Sequence, residues 1–398
     1  MNQKSKLAFA LAGIAGLALS AESAQAALDL NGTGSSAGQQ FAGLAPAGIC
    51  AATPTPLLFV SSDGKKYEWQ CTINGQANSR VRYSGTASEE GYTKQPNGAV
   101  GTAIYLNVSG QPGCPAGSPT PILGKNVLRS VCPANQATQT LPVHWGGSDV
   151  QGPSLHQNRG GGDAVTPPPT GHLTTTGTVI VPFSIVVGHG VKNGTGGDLT
   201  TLTEMEIRQI VAGAETNWED LGYQGGAIFR CQRTAGSGTL AAYDEIFTQS
   251  PYYAATTYPG FSNTSSSNLV ACINANAASI GYMDSDAAVP AKLTAGGHAV
   301  AIGGQSGQND VQCGRYPYWA TWNFITRTAG VEAAPIGAAA GTNAAIDDLQ
   351  ASMAENNPIP TFWVRLKDSF VTKNQDRGPH RWPSQVNGNG QNIATVCN

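Results

Sequence analysis

Three short segments of this chain gather glycine, serine and threonine where an apolar run gives way to a helical pattern. They are Gly34-Ser35-Ser36-Ala37, Gly85-Thr86-Ala87-Ser88 and Gly236-Ser237-Gly238-Thr239. A strand-to-helix junction leaves the N–H groups of the first helical turn unpaired, and small residues let an anion approach them. Taken singly, each segment is also what an ordinary helix cap looks like. The third stands apart because Arg233 precedes Ser237 by four positions. A guanidinium fork, hydroxyls and a helix start together suit a tetrahedral oxyanion, which needs bidentate charge-assisted bonds and several directed donors.

A fourth segment, Trp145-Gly146-Gly147-Ser148-Asp149, ends an apolar run on a carboxylate. An acid beside an anion pocket is repulsive unless the ligand carries a proton. The carboxylate then accepts that hydrogen bond and rejects a fully deprotonated ion. Gly34-Ser35-Ser36-Ala37-Gly38 also fits the G-x-S-x-G pattern of a hydrolase elbow. It lies on the first strand, however, and no acid–histidine pair singles itself out to complete a triad. The six histidines (144, 156, 172, 189, 298, 380) are scattered; only His189, between two glycines, merits attention. The expectation is a binding protein without catalytic residues, metal or cofactor.

These residues resemble a family. Arg233-x-x-Gly-Ser-Gly-Thr239, Gly-Ser-Asp149 after a strand, Ser88 and the Gly-rich first loop occur in the order seen in periplasmic phosphate-binding proteins of the Pst transport system. The segment 201–221 (TLTEMEIRQIVAGAETNWEDL) is similar to that family's helix-Gly-Trp-Asp-Leu stretch. Asp29-Leu30-Asn31-Gly32, His144 to Asp149, Ile280-Gly281-Tyr282-Met283 and Val396-Cys397-Asn398 resemble the DING branch of secreted phosphate binders. The resemblance implies a two-domain type II periplasmic-binding fold that holds inorganic phosphate in a hinged cleft and serves an ABC-type transporter. It also implies roles: Ser36 and the Ala37 N–H from the first loop, Ser88 from the second, Asp149 accepting the phosphate proton, Arg233 supplying charge, and Ser237, Gly238 and Thr239 ringing the remaining oxygens. Two places differ from the family pattern. Ala235 stands where the family has an acid two residues after the arginine, and Glu89 and Glu90 follow Ser88.

The elements that must position these loops are those of an α/β chain. Strands are expected at 28–30, 81–83, 141–145, 178–187, 227–229 and 320–326, and helices at 39–44, 238–249 and 343–355. Thr203 and Glu206 form a capping box ahead of a helix with Met205, Ile207, Ile210 and Val211 on its apolar side. Helix 238–249 would bury Leu240, Tyr243, Ile246 and Phe247, and the C-terminal helix Ile346, Leu349 and Met353. Residues 92–140 read as turn-rich and 150–178 as a surface loop or linker. The implied division is domain I from 27–189 and 316–398, with domain II from 190–315.

Composition narrows the class further. Of 398 residues, 12% are charged and 50 are glycine, with net charge −3; ordinary domains carry about 25% charged residues and about 7% glycine. That excludes coiled coils and, with no basic run, argues against nucleic acid. An apolar fraction of 40% is enough for a core. Lys4 and Lys6, an apolar run from Leu7 to Ser20 and Ala24-Gln25-Ala26 read as a secretory signal peptide over residues 1–26, without a following lipidated cysteine. No later run is long and apolar enough to span a membrane. The mature chain is expected in the periplasm or outside the cell, as a monomer. Its eight cysteines read as four disulfides, since no C-x-x-C or H-x-x-x-H suggests metal. Sequence does not fix the pairing; the shortest loops suggest Cys50–Cys71 and Cys114–Cys132, with Cys231–Cys272 and Cys313–Cys397 left over. Two alternatives stay open. One is a secreted surface or matrix interaction protein using the same fold; the other is a receptor for another oxyanion. The Trp residues and Tyr252-Tyr253 do not recur at a spacing that suggests sugar stacking.

Overall fold

A computed structural model describes residues 26–95, 101–108, 113–155, 170–248, 260–285, 288–328, 341–355, 359–360, 362–373, 376 and 385–397. Residues 1–25 of the expected export signal, His156, His380, Tyr252-Tyr253 and 156–169 of the expected linker lie outside the described residues. The chain is mixed α/β. Its first half carries β1 (Asp29–Gly34), α1 (Gln39–Leu44), β2 (Leu57–Ser61), β3 (Lys66–Ile73), β4 (Gln76–Gly85), α2 (Ser88–Thr93), β5 (Thr102–Leu106), β6 (Ser118–Ile122), β7 (Lys125–Cys132), β8 (Thr138–Pro142) and β9 (Trp145–Ser148). There follow β10 (Leu173–Val187), β11 (Thr201–Leu202), α3 (Glu204–Ala212), β12 (Phe229–Arg233), α4 (Gly238–Tyr243), β13 (Gly260–Asn263), α5 (Ser266–Ala275), β14 (Ser279–Asp284) and β15 (His298–Ile302). The chain closes with α6 (Gln308–Gln312), β16 (Trp319–Arg327), α7 (Thr342–Glu355), β17 (Val364–Arg365) and α8 (Ile393–Val396).

The main strand order is β13-β12-β14-β10-β16-β9-β1-β4-β3-β2-β7-β6. β10 joins its two halves. Leu173–Pro182 pairs antiparallel with β16, whereas Phe183–Val187 pairs with β14 and β15. The run from Val179 to Val187 is rich in Val and Ile and buried except at Ser184, as a central strand covered on both faces requires. Pro182 has no N–H to give a ladder, and it stands where the strand exchanges β16 for β14. Phe183 lies opposite Asp284, so the seam sets the last residue of β14 at the boundary between the two sheet regions.

On the first side, β9, β1 and β4 run parallel, with Gly34 opposite both Gly85 and Gly147. Three of the small-residue loops therefore leave the sheet at one level. The aromatic packing beneath them is dense: Trp145 stacks on Phe324 at 5.0 Å and on Tyr83 at 5.3 Å. Gly34 is fixed by its surroundings, with φ of +139° and a Cβ position 1.9 Å from the Gly147 carbonyl oxygen. A side chain there would displace the backbone that turns β1 into the first loop.

Helices and disulfides follow the sequence closely, with a few displacements. The Thr203–Glu206 capping box is formed, and α1 spans the expected residues. Met205 is exposed, because the inward stripe of α3 begins at Ile207. The helix from Gly238 passes into a π-helical turn over Asp244–Thr248. The expected strand at 227–229 lies further on, ending at Arg233 itself. Residues 141–145 split between β8 and β9, where the Asn31 N–H donates to His144 Nδ1. The turn-rich 92–140 stretch holds β5 to β7 and most of β8, with Pro and Thr obscuring the alternation of β6 and β8, and β10 begins inside the expected linker, at Leu173. All four cysteine pairs are the expected ones: Cys50–Cys71, Cys114–Cys132, Cys231–Cys272 and Cys313–Cys397. Such bridges mark a chain that folds in an oxidising compartment. Among the described residues, no helix is long and apolar enough to cross a membrane.

Candidate functional site

The four small-residue loops meet at the boundary between the two sheet regions. Asp149, just past β9, is buried and accepts hydrogen bonds on both carboxylate oxygens. The Ser35 hydroxyl donates to one, and the Ser88 hydroxyl donates to the other at 3.1 Å. Ser35 is held in turn, accepting from the Gly38 N–H at 3.0 Å, while Tyr83 donates to its carbonyl at 2.8 Å. Burial pushes the Asp149 carboxyl up to about 6, and nearby Asp284 adds to the rise; the Ser35 and Ser88 hydroxyls and Arg233 pull it down.

From the other side, β12 delivers Arg233. Its backbone N–H donates to the Tyr282 hydroxyl at 3.0 Å, and its Nη1 donates to the Ser266 hydroxyl at 3.0 Å. Cys231–Cys272 ties β12 to α5, the helix that begins with Ser266. Arg233 is 4% exposed, yet its Nε makes no hydrogen bond within the protein. Burial lowers the guanidinium's affinity for its proton, and Tyr282, Asp284 and Asp149 oppose that loss. Ser237 caps α4, accepting from the Leu240 N–H at 3.3 Å. Gly238 lies against the opposite loop, its Cβ position 2.4 Å from Ser88 Oγ and 3.0 Å from Asp149 Cβ. Thr239 donates no hydrogen bond from its buried hydroxyl within the protein, while its carbonyl accepts from Tyr318. Glu89 closes over the same loop, its N–H donating to the Gly236 carbonyl at 3.2 Å. Burial and the charge of Glu90 raise the Glu89 carboxyl.

Thus Ser88, Asp149, Arg233 and Gly238 converge, with Ser237 and Thr239 on the same turn. Ser36 and Ala37 line an adjoining cleft of about 430 Å³ that Ser266, Asp284 and Lys292 line from the far side. Sequence reasoning singled out Ser36 as the first-loop hydroxyl, whereas Ser35 is the one bonded to Asp149. Two adjacent serines carry no sequence signal that tells them apart. It also missed Asp284, whose hint is a carboxylate closing a strand of six buried residues, and Ser266. Among the described residues no histidine bonds Ser35 or Ser36, and His189 is exposed in the turn after β10. No group of three or more His, Cys, Asp or Glu among them is arranged to hold a metal ion.

No protein-family model matches the chain, and no curated protein matches it by sequence. Solved structures do overlap it. A protein from Clostridium perfringens described as a phosphate ABC transporter substrate-binding protein, with bound phosphate, is 13% identical over 81% of this chain and 92% of its own, with a TM-score of 0.47. A phosphate-binding protein from Stenotrophomonas maltophilia is 15% identical over 75% and 78%, with a TM-score of 0.42. The sulfate-bound regulatory domain of OxyR2 from Vibrio vulnificus covers 54% of this chain and 72% of its own at 10% identity and a TM-score of 0.29.

Proposed function

We propose that this chain captures inorganic phosphate, as a protonated ion, without transforming it. The sequence divides the chain into 27–189 with 316–398 and 190–315; the pairing of Phe183–Val187 with β14 and of Ile185–Val187 with β15 moves the first crossover back to Pro182–Phe183, and two lobes divided there would close on the ion by hinge bending. The observation that supports this reading best is Arg233: buried, with an unpaired Nε, its Nη1 on the Ser266 hydroxyl, and close enough to Asp149 and Asp284 for their charges to act on it. A buried cation of this kind is costly unless an anion completes it. Phosphate would take charge-assisted bonds from Arg233 and hydrogen bonds from Thr239 and backbone N–H groups at Ala37 and Gly238, while Ser88 holds Asp149 beside the ion. Its own hydroxyl would donate to Asp149, which a fully deprotonated sulfate cannot do.

Ser36 and Ser237 complete the proposed shell from the first and third loops. The motif resemblance to periplasmic phosphate binders points the same way, as do the disulfides of an exported chain. The physiological role proposed is that of a periplasmic receptor supplying an ABC-type transporter. Scanning calorimetry tests the ligand: phosphate should raise the unfolding temperature in proportion to ln(1 + [L]/Kd), while equal concentrations of sulfate and chloride should not. Equal stabilisation by sulfate would overturn the assignment of Asp149. Phosphate retained in stoichiometric amount through purification would favour the receptor over a surface protein that merely keeps the fold.

A further inference from the structure

Asp284 has no counterpart among the residues that the loop motifs nominate. It closes β14, is 3% exposed, and lines the cleft beside Ser36, Ala37 and Ser266. Its contrast with Asp149 is the informative point. Asp149 has a protein hydroxyl on each oxygen, whereas Asp284 Oδ1 is buried and receives no hydrogen bond within the protein. An ionised carboxylate only accepts, so a buried unpaired oxygen calls for a donor.

We infer that Asp284 is a second proton-reading group in the pocket, so that the form held is the singly charged, doubly protonated tetrahedral oxyanion. This rests on the phosphate reading above and sharpens it. One ligand hydroxyl donates to Asp149 and another to Asp284, while Arg233 meets the unprotonated oxygens. Charge balance agrees. The groups facing this space are Arg233 from β12, Lys292 lining the cleft, Asp149 after β9, Asp284 on β14, Asp63 on the cleft wall and Glu89 from α2, with the Tyr282 hydroxyl beside Arg233. Lys65 and Lys66 offset Asp63 at the cleft wall, but beside the arginine two buried carboxyl groups, Asp149 and Asp284, face one guanidinium, which favours a monoanion over a dianion. Ala235 leaves the arginine without an acid two residues along its own chain, and Asp284 supplies that neighbouring charge from a different strand.

Calorimetric titration of inorganic phosphate from pH 6.5 to 8.5, into ligand-stripped wild type and Asp284→Asn, tests this. Wild-type affinity should fall with rising pH, approaching about tenfold per unit above pH 7.5 as the doubly protonated ion is lost. In Asp284→Asn that slope should disappear, because the singly protonated ion still has one hydroxyl for Asp149, and sulfate, which has none, should stay undetectable with both proteins. Wild-type affinity that is level or rises across this range would overturn the role of Asp284 while leaving phosphate capture standing, as would a variant that keeps the full slope. Absence of phosphate binding at every pH would overturn both. The wild-type slope is decisive even if the variant does not fold.

Discussion

Replacing Asp149 by asparagine should make the ligand-free protein more stable while weakening its hold on phosphate. The carboxyl is buried, and its environment raises it from the ordinary 3.8 to about 6. That difference corresponds to about 3 kcal/mol by which the ionised group disfavours the folded state at neutral pH. The sign follows from proton binding. Between pH 3.8 and 6 the folded chain holds the proton that the unfolded chain has released, so stability is greatest below this range and is lost as pH rises through it. Asparagine does not titrate. The Ser35 and Ser88 hydroxyls, which donate to the carboxylate, also accept from the Gly38 and Asp149 N–H groups. Each hydroxyl oxygen has a second lone pair with which to meet an amide N–H. At about 2 °C per kcal/mol for a long chain, the variant should unfold about 6 °C higher than wild type at pH 7.5, with little difference at pH 4. Thermal unfolding of both proteins across that range, without phosphate, makes the comparison. A variant no more stable at pH 7.5, or a difference that does not grow between pH 4 and 6, would refute the reasoning.

Other perturbations reach the same site from different directions. Ser35→Ala removes a hydroxyl that pulls Asp149 down, so the carboxyl should titrate above 6, measurable by carbon-13 NMR of the aspartate side chain. Gly238→Ala sets a Cβ 2.4 Å from Ser88 Oγ; overpacking of about 1–3 kcal/mol between facing loops should weaken phosphate binding by about tenfold or more in a binding titration. Replacing both Cys231 and Cys272 by serine opens a 41-residue loop. It should cost about 4 kcal/mol in denaturant unfolding, and it should loosen the Arg233–Ser266 contact enough to lower phosphate affinity.

The loops were legible in the sequence because their chemistry is local. A strand, a glycine turn and a helix start fall within ten residues, so Gly34, Ser88, Asp149 and Arg233 could be named before any packing was known. The disulfides were legible in part for a similar reason: each pair in the structure joins neighbours in the cysteine order, although the last four cysteines could have joined in three ways. What could not be read is what depends on the seam in β10. Asp284 belongs to the site only because Pro182 ends one pairing and Phe183 begins another, bringing the end of β14 opposite it. Ser35 rather than Ser36 meets Asp149 because of a backbone turn set by Gly34 against Gly147. Neither fact has a local signature. Of the strands β5 to β8, β6 and β8 escaped notice because proline and threonine break their hydrophobic alternation, and β7 because Lys, Asn, Arg and Ser interrupt it.

The most direct measurement is calorimetric titration of inorganic phosphate into the ligand-stripped chain, with Arg233→Met in parallel. A single phosphate should bind the wild type with measurable heat. The variant should lose about a hundredfold or more in affinity, because charge-assisted bonds of about 1.5–3 kcal/mol each disappear with the guanidinium. Phosphate binding by Arg233→Met at undiminished affinity, or no binding by the wild type, would contradict capture of the ion at this arginine.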